Sequence, residues 1–281
     1  MTIWYWIVSW LPFEWAAADS MYFMKNALLA ILVVTPLFGL LSTMVVESRM
    51  AFFSDALGHS AFTGMAIGAI CGLAAPVTAA VLFAVAIAFL FTVVRQRTSM
   101  ASDTAISVFS SAAVALGIFI STLGGQSFTK FNNLLIGDIL SVSPREIGLL
   151  AVILLLLILL WVTSFNQMML TAVHQPLADS RGIRVFWKTF LFTAAIAVVV
   201  TVSMTWVGLL VINALIVLPG AAARNIARNL PQYHLISILG GLVCGVGGLM
   251  VSYQFGTSTG ASITLLLALW FFVTLLFKRK R

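Results

Sequence analysis

Long apolar segments alternate with short polar ones along almost the whole chain. Nine segments are rich in apolar residues and poor in charge, and most approach the roughly 20 residues that a helix needs to cross a membrane. They lie at about 26–46, 56–75, 77–94, 104–123, 146–165, 187–204, 206–218, 232–253 and 258–277. The pattern predicts an all-α fold, a polytopic membrane helical bundle with eight or nine transmembrane helices.

The number of spans depends on residues 187–218. Gly208 and the stretch 203–206 allow a break, which gives nine spans, whereas one long helix gives eight. We expect Pro219 to end this apolar run, because proline lacks the N–H that a helix interior needs.

Basic residues favour nine spans, because Lys and Arg accumulate in cytoplasmic loops. Nine spans and a cytoplasmic tail at 278–281 leave three basic residues outside, Lys25, Lys130 and Arg145. The other twelve are then cytoplasmic: Arg49, Arg95, Arg97, Arg181, Arg184, Lys188, Arg224, Arg228 and the four tail residues. Merging 187–218 would move Arg95, Arg97 and the 181–188 cluster outside. The C-terminus is predicted to be cytoplasmic with either number.

Composition supports a membrane protein and argues against a soluble domain. The 281 residues are 62% hydrophobic and 8% charged, with mean hydropathy +1.11, whereas soluble domains carry roughly a quarter charged residues. The net charge of +7 therefore reports topology, and we expect no nucleic-acid partner. Residues 1–25, rich in Trp and Tyr, are predicted to form an interfacial segment, and 26–281 a single transmembrane domain. No G-x-x-x-x-G-K-[ST] motif occurs, so any ATP must bind another polypeptide.

The unusual chemistry lies in S-D-A-L-G-H-S, residues 54–60. Asp55 and His59 are four residues apart and share one helical face, and a carboxylate with a neutral imidazole suits first-row divalent ions. Gly64, Gly68 and Gly72 form a G-x-x-x-G-x-x-x-G row on the opposite face, which predicts close helix packing. Ser54 or Asp55 is equally compatible with a helix cap. Two ligands make an incomplete metal site, which a second copy of the chain would complete.

Other polar residues give weaker signals. His174 and His234 stand beside Pro176 and Pro231, and we expect both in or beside loops, solvated or interfacial. Asp138 is interpreted as a turn or cap residue. Cys71 and Cys244 are interpreted as free packing residues. A short amphipathic helix is expected after Pro219 on the cytoplasmic face, ending near the basic pair Arg224 and Arg228, although an ordinary basic loop would look similar.

Five motifs carry a resemblance to a known family. They are R-M-A-F-F-S-D-A-L-G-H-S (49–60), D-T-A-I-S-V-F-S-S-A (103–112), L-L-I-G-D-I-L-S-V-S (134–143), V-G-L-L-V-I-N-A-L-I-V-L-P-G-A-A-A-R (207–224) and T-S-T-G-A-S-I-T-L-L-L-A-L (257–269). With these motifs in this order, the chain from about residue 28 to 277 resembles the permease subunits of zinc/manganese/iron ABC importers.

The resemblance implies a function. Asp55 and His59 would line a central metal pathway for Zn²⁺, Mn²⁺ or Fe²⁺. A coupling helix would contact the ATPase through the segment whose residues are Pro219, Gly220, Ala221, Ala222, Ala223, Arg224 and Arg228. The chain, itself no enzyme, would sit in the plasma (inner) membrane as a homodimer, with ATPase subunits inside and a metal-binding protein outside.

Two positions depart from the family pattern. Gly220 stands where many relatives carry Ala, and residues 255–257 replace an acidic residue and a proline in the outer loop of the last hairpin. The alternative function is an ion-coupled secondary transporter without an ATPase, but no inverted repeat is evident and Asp55 is the only strongly placed intramembrane acid. A purely structural membrane subunit would leave the Asp55–His59 pair unexplained.

Overall fold

A computed structural model describes residues 2–10, 14–17, 21–73, 76–98, 100–123 and 137–277. These residues form helices and no strands. The helices are α1 Thr2–Val8, α2 Glu14–Ala17, α3 Tyr22–Glu47, α4 Phe53–Ile70, α5 Pro76–Arg97, α6 Ser102–Leu123, α7 Pro144–Val173, α8 Gln175–Ser180, α9 Val185–Val207, α10 Leu209–Ile226, α11 Leu230–Phe255 and α12 Thr259–Leu276, with a 3₁₀ turn at Ile139–Ser141. The predicted all-α bundle is confirmed.

Nine of the helices described have at least 18 residues. Eight are long and apolar enough to cross a membrane, and the ninth, α4, is less apolar because it carries Asp55, His59 and several glycines. Gly208 separates α9 from α10 with φ of 83°, a conformation that suits glycine. The predicted break is therefore confirmed, although it falls at Gly208 itself, and a single helix over 187–218 is wrong.

Helix α3 lies at the centre of the bundle between α10 and α11. It runs parallel to α10, because Ser42 contacts Gly220 and Glu47 contacts Arg224, and antiparallel to α11. Helix α4 packs between α5 and α6, and α9 packs against α5 and α7. The C-terminal ends of α3, α5, α10 and α12 meet the start of α11 at one end of the bundle. We call this the basic end, since Arg95, Arg184 and Arg224 lie there.

Pro219 does not end α10, contrary to the prediction from sequence. The helix continues to Ile226, and beside the proline the Ser42 hydroxyl of α3 donates to the Val217 carbonyl (3.3 Å) and accepts from the Gly220 N–H (2.8 Å), so two backbone groups next to Pro219 have a partner on another helix. A Cβ on Gly220 would lie 2.6 Å from the Ser42 oxygen, so this contact requires glycine. The separate short helix expected after Pro219 is absent here, since 221–226 are the last turns of α10 and 227–229 connect to α11.

The glycine row on α4 is confirmed at two positions out of three. A Cβ on Gly64 would lie 2.6 Å from the Ala80 Cα, and one on Gly68 would lie 2.8 Å from the Ala79 Cβ, so α4 and α5 pack closely there. Gly72 lies beyond the end of α4 with φ of 68° and no contact for an added Cβ. It is a turn residue, and its predicted packing role is wrong.

The N-terminal segment forms two short helices that rest on the start of α3. The Trp4 indole donates to the Lys25 carbonyl (2.8 Å), and the Tyr5 hydroxyl donates to the Asn26 side chain (2.9 Å). Helix α3 begins at Tyr22, so the proposed boundary at residue 25 falls inside it. The interfacial placement of this segment stays a prediction.

Orientation can be tested with one introduced cysteine and one native cysteine. Gln96 lies in the last turn of α5 at the basic end, and the exposed Cys71 follows α4 at the opposite end. With nine spans, an impermeant maleimide should label Cys71 in spheroplasts and Gln96→Cys only in inverted vesicles. Gln96→Cys is therefore tested in a chain that also carries Cys71→Ser, and its labelling in spheroplasts would reverse the proposed orientation. Cys244 is buried and should stay silent.

Candidate functional site

Asp55 and His59 lie in the first two turns of α4 and contact each other. The distance from Asp55 Oδ2 to His59 Nε2 is 3.4 Å, and the side chains are 40% and 18% exposed respectively. The i,i+4 spacing therefore brings the two groups together, as predicted from the sequence.

Capping does not account for this pair. The N-cap of α4 is Phe52, and no side chain makes a capping hydrogen bond there. Ser54 and Asp55 are instead bonded to Asn213 of α10, more than 150 residues away in the chain. The polar groups at the start of α4 thus serve a tertiary contact.

Asn213 fixes the orientation of the Asp55 carboxylate. The Ser54 hydroxyl donates to Asn213 Oδ1 (2.8 Å), so the other end of the amide, Nδ2, donates to Asp55 Oδ1 (3.1 Å). The second carboxylate oxygen remains for His59. Our sequence reasoning did not single out Asn213, although an amide within the apolar run V-I-N-A-L-I-V was a signal that could have found it.

Asp55 opens into a groove between α4 and α6 of about 370 Å³. A second carboxylate, Asp103 at the start of α6, lines the same groove, together with three hydroxyls and two apolar residues: Ser107, Ser110, Ser111, Phe52 and Ile106. Asp103, Ser107 and Ser110 follow one face of α6. The groove thus offers a line of oxygen atoms leading away from Asp55.

The site lies deep along the bundle axis. Arg224 Nε is 3.4 Å from Glu47 Oε1 at the basic end, and Asn213 is eleven residues before Arg224 on α10. At a rise of about 1.5 Å per residue, the Asp55–Asn213 contact lies about 16 Å from this ion pair.

The geometry suits a divalent cation as substrate. Ligand atoms around a tetrahedral zinc ion with bonds of about 2.1 Å lie about 3.4 Å apart, which is the Asp55–His59 spacing. No group of three His, Cys, Asp or Glu side chains in metal-binding range occurs among the residues that the structure describes.

The other candidate residues lie elsewhere. His174 is exposed between α7 and α8, as expected, and Asp138 caps the 3₁₀ turn by accepting from the Leu140 N–H (3.0 Å). His234 lies within α11, where Nδ1 contacts the Thr43 hydroxyl (2.9 Å) and the ring packs on Phe165. It therefore does not lie in a loop and is not solvated, and the alternative that it is interfacial stays a prediction. Cys71 and Cys244 are free, as expected.

The C-terminal part of α10 is partly buried. Ala222 and Ala223 are fully buried and Gly220 contacts α3, whereas Arg224 is half-exposed and Arg228 is exposed. Of the predicted coupling residues, the two arginines thus face outward. The role of the segment in coupling stays a prediction.

Comparison with known proteins identifies the family. The model of the ABC 3 transport family matches residues 20–278, nearly the whole chain. The chain belongs to the ABC 3 transport family. Members named for metal uptake include a manganese import system permease protein, ScaB, of Streptococcus gordonii, 28% identical over 90% of each chain.

Two further relatives and one solved structure extend this comparison. An uncharacterized membrane protein of Synechocystis sp. is 32% identical over 92% of this chain and 91% of its own. The high-affinity zinc uptake system membrane protein ZnuB of Haemophilus influenzae is 28% identical over 91% and 97%. The fold matches PsaBC from Streptococcus pneumoniae in complex with Fab, with a TM-score of 0.77, 27% identity and coverage of 98% and 95%. Nothing in these comparisons supports a secondary transporter.

Asn213 should control the ion-binding geometry of this ABC 3 permease. Asn213→Leu keeps the number and branching of side-chain heavy atoms but removes the donor to Asp55 and the acceptor for Ser54, so one oxygen of Asp55 loses its fixed partner. We expect uptake of radioactive metal by the assembled transporter to fall about tenfold, as for loss of one hydrogen bond to a charged group.

The matched control is Thr193→Val, which removes a buried hydroxyl contact with Thr92 (3.1 Å) outside the site. It should retain uptake. Equal uptake by the Asn213 and Thr193 variants would contradict the positioning role of Asn213.

Proposed function

We propose that this chain is the permease subunit of an ABC importer that moves a divalent transition-metal ion into the cytoplasm. The observation that carries the proposal is the Asp55–His59 pair, bonded through Asp55 to Asn213 within an apolar helical bundle and open to a groove with a second carboxylate. An ionisable pair within a membrane bundle is costly unless it has a purpose, and transport of a cation supplies one.

The ligand chemistry defines the substrate class. Carboxylate and imidazole together accept Mn²⁺ and Zn²⁺, and Fe²⁺ lies between them in the affinity series. The relatives named for manganese and for zinc uptake support the same class. We assign divalent first-row metals as substrates and no resident cofactor.

A second copy of the chain would complete the site. The groove is open on one side in the single chain, and the exposed apolar Ile118 follows Ser107 and Ser111 along the same face of α6. A homodimer formed along this face would bring two Asp55–His59 pairs together around one axis. Four side chains would then offset the hydration that the ion loses.

Asp103 and the hydroxyls of α6 would guide the ion from the central pair. Oxygen ligands replace water around a cation, and a second carboxylate keeps the groove attractive to positive charge. The ion would thus exchange ligands between Asp55 and Asp103 rather than cross apolar surface.

The partners would bind at opposite ends of the bundle. At the basic end, which the positive-inside bias puts in the cytoplasm, Arg224, Arg228 and the connection at 227–229 form a surface for an ATPase subunit. At the other end, the Asp138 turn and residues 257–260 line a cavity of about 120 Å³. An extracytoplasmic metal-binding protein would deliver its ion on that side.

Removing the charge of Asp55 tests the substrate site. Asp55→Asn keeps the shape and retains an oxygen that can accept from Asn213 Nδ2, so the fold should survive. We expect metal uptake to be abolished while the complex still assembles and hydrolyses ATP. His59→Ala should act similarly, and the double variant should be hardly worse than either, because both groups serve one ion.

Cells expressing the complete transporter should be offered Zn²⁺, Mn²⁺ and Fe²⁺ in turn, with metal content measured directly. The control is Asp179→Asn, an exposed carboxylate of α8 outside the groove, which should transport normally. Full uptake by Asp55→Asn would refute the transit site.

Arg228 tests the coupling surface. Its side chain is exposed just after α10, so Arg228→Glu should reverse a contact with the ATPase without disturbing the fold. We expect ATP hydrolysis to lose its stimulation by metal and binding protein, with uptake reduced about tenfold. Ala222 is a poor probe, because it is fully buried and a bulky residue there would disrupt packing. If Arg228→Glu and the control Arg181→Glu behave alike, the assignment is wrong.

A further inference from the structure

Two adjoining cavities at the basic end are lined by hydrogen-bond donors and by no carboxylate. Arg95, in the last turn of α5, lines both. The smaller, about 10 Å³ and so no larger than one water needs, also has Lys188, Thr171 and Gln175 in its wall. The larger, about 420 Å³ and open to the surface, includes Thr98, Ser102, His174 and Gln175.

The polar groups there have spare donors. Arg95 donates to Met50 Sδ (3.0 Å) and weakly to the Ser48 carbonyl (3.4 Å), which leaves three of its five N–H groups. The Lys188 ammonium donates to Ser164 Oγ (3.3 Å), which leaves two. His174 Nδ1 accepts from the Leu177 N–H, so the neutral ring carries its proton on Nε2 and donates.

The positive charge of these cavities is not balanced within the described part of the chain. Two acid–base pairs occur in that part of the chain, Asp55 with His59 and Glu47 with Arg224. Neither pair includes Arg95 or Lys188. The acids nearest along the sequence, Asp103 and Asp179, line neither cavity. Two partly buried cations with free donors favour an anion, because a planar guanidinium matches the oxygens of a phosphate.

The surroundings indicate the source of that anion. Trp187, at the start of α9, is exposed and packs edge-on against Phe186, and Phe186 packs against Phe89 of α5. Exposed Trp side chains at helix ends mark the headgroup level of a bilayer. Val173 and Leu177 are also exposed beside the larger cavity and supply apolar surface.

We propose that the larger cavity, at Arg95, binds the phosphate of an anionic lipid headgroup, with Lys188 adding positive charge behind it and the acyl chains on the adjacent apolar surface. The site is separate from the metal groove, and basic pockets between helices on the cytoplasmic side suit such headgroups. The proposal rests on the cytoplasmic orientation of the basic end proposed above and not on the metal-transport role.

Native mass spectrometry of the full chain, purified in a neutral detergent, tests this site. The probes are phosphatidylglycerol, phosphatidylcholine and inorganic phosphate. We expect one phosphatidylglycerol to be retained, with about tenfold preference over phosphatidylcholine, and phosphate at the same concentration not to displace it. Arg95→Gln and Lys188→Gln should each lower this retention about tenfold.

The matched control is Arg184→Gln, an exposed cation at the same end that lines neither cavity, and it should retain the lipid. Arg95→Gln could fail to fold because Ser48 loses its partner. In that case the retention of phosphatidylglycerol by Lys188→Gln still tests the site. Equal retention of the two lipids, or equal loss in the Arg184 variant, would overturn the site. Displacement by phosphate alone would overturn the lipid source. None of these readouts requires metal uptake, so failure here leaves the transport proposal intact.

Discussion

The carboxylate of Asp55 lies deep in an apolar bundle, and much of the surrounding structure follows from keeping it there. A charge at that depth is costly unless polar groups surround it. His59 and Asn213 supply those groups from two helices, and Ser54 fixes the amide of Asn213 in the orientation that donates. The remaining side is a groove rather than packed protein, so the carboxylate stays available to an ion.

Close packing elsewhere on α4 makes this arrangement possible. The face of α4 with Gly64 and Gly68 meets α5 almost backbone to backbone, while the face with Asp55 meets α10 and α6 through polar groups. Without an apolar driving force between helices in lipid, such close contacts and interhelical hydrogen bonds hold a membrane bundle together. One helix thus combines a packing face and a binding face.

Helix α10 connects the site with the basic end. Helix α10 passes through Pro219, and Ser42 of α3 bonds the Val217 carbonyl and the Gly220 N–H beside it. The same helix carries Asn213, which holds Asp55, and Arg224, which pairs with Glu47. A continuous helix therefore lies between the groove beside Asp55 and the surface proposed for the ATPase.

The sequence by itself determined the features that depend on neighbours along the chain. Hydrophobic runs gave the helices, Gly208 marked the break, and four-residue spacing put Asp55 beside His59. Tertiary structure alone decided contacts between distant residues. Asn213 bonds Asp55 across 158 positions, and Ser42 bonds the Gly220 N–H beside Pro219 across more than 170. Local patterns carry no record of which helix will be adjacent, because periodicity specifies a face and not its partner.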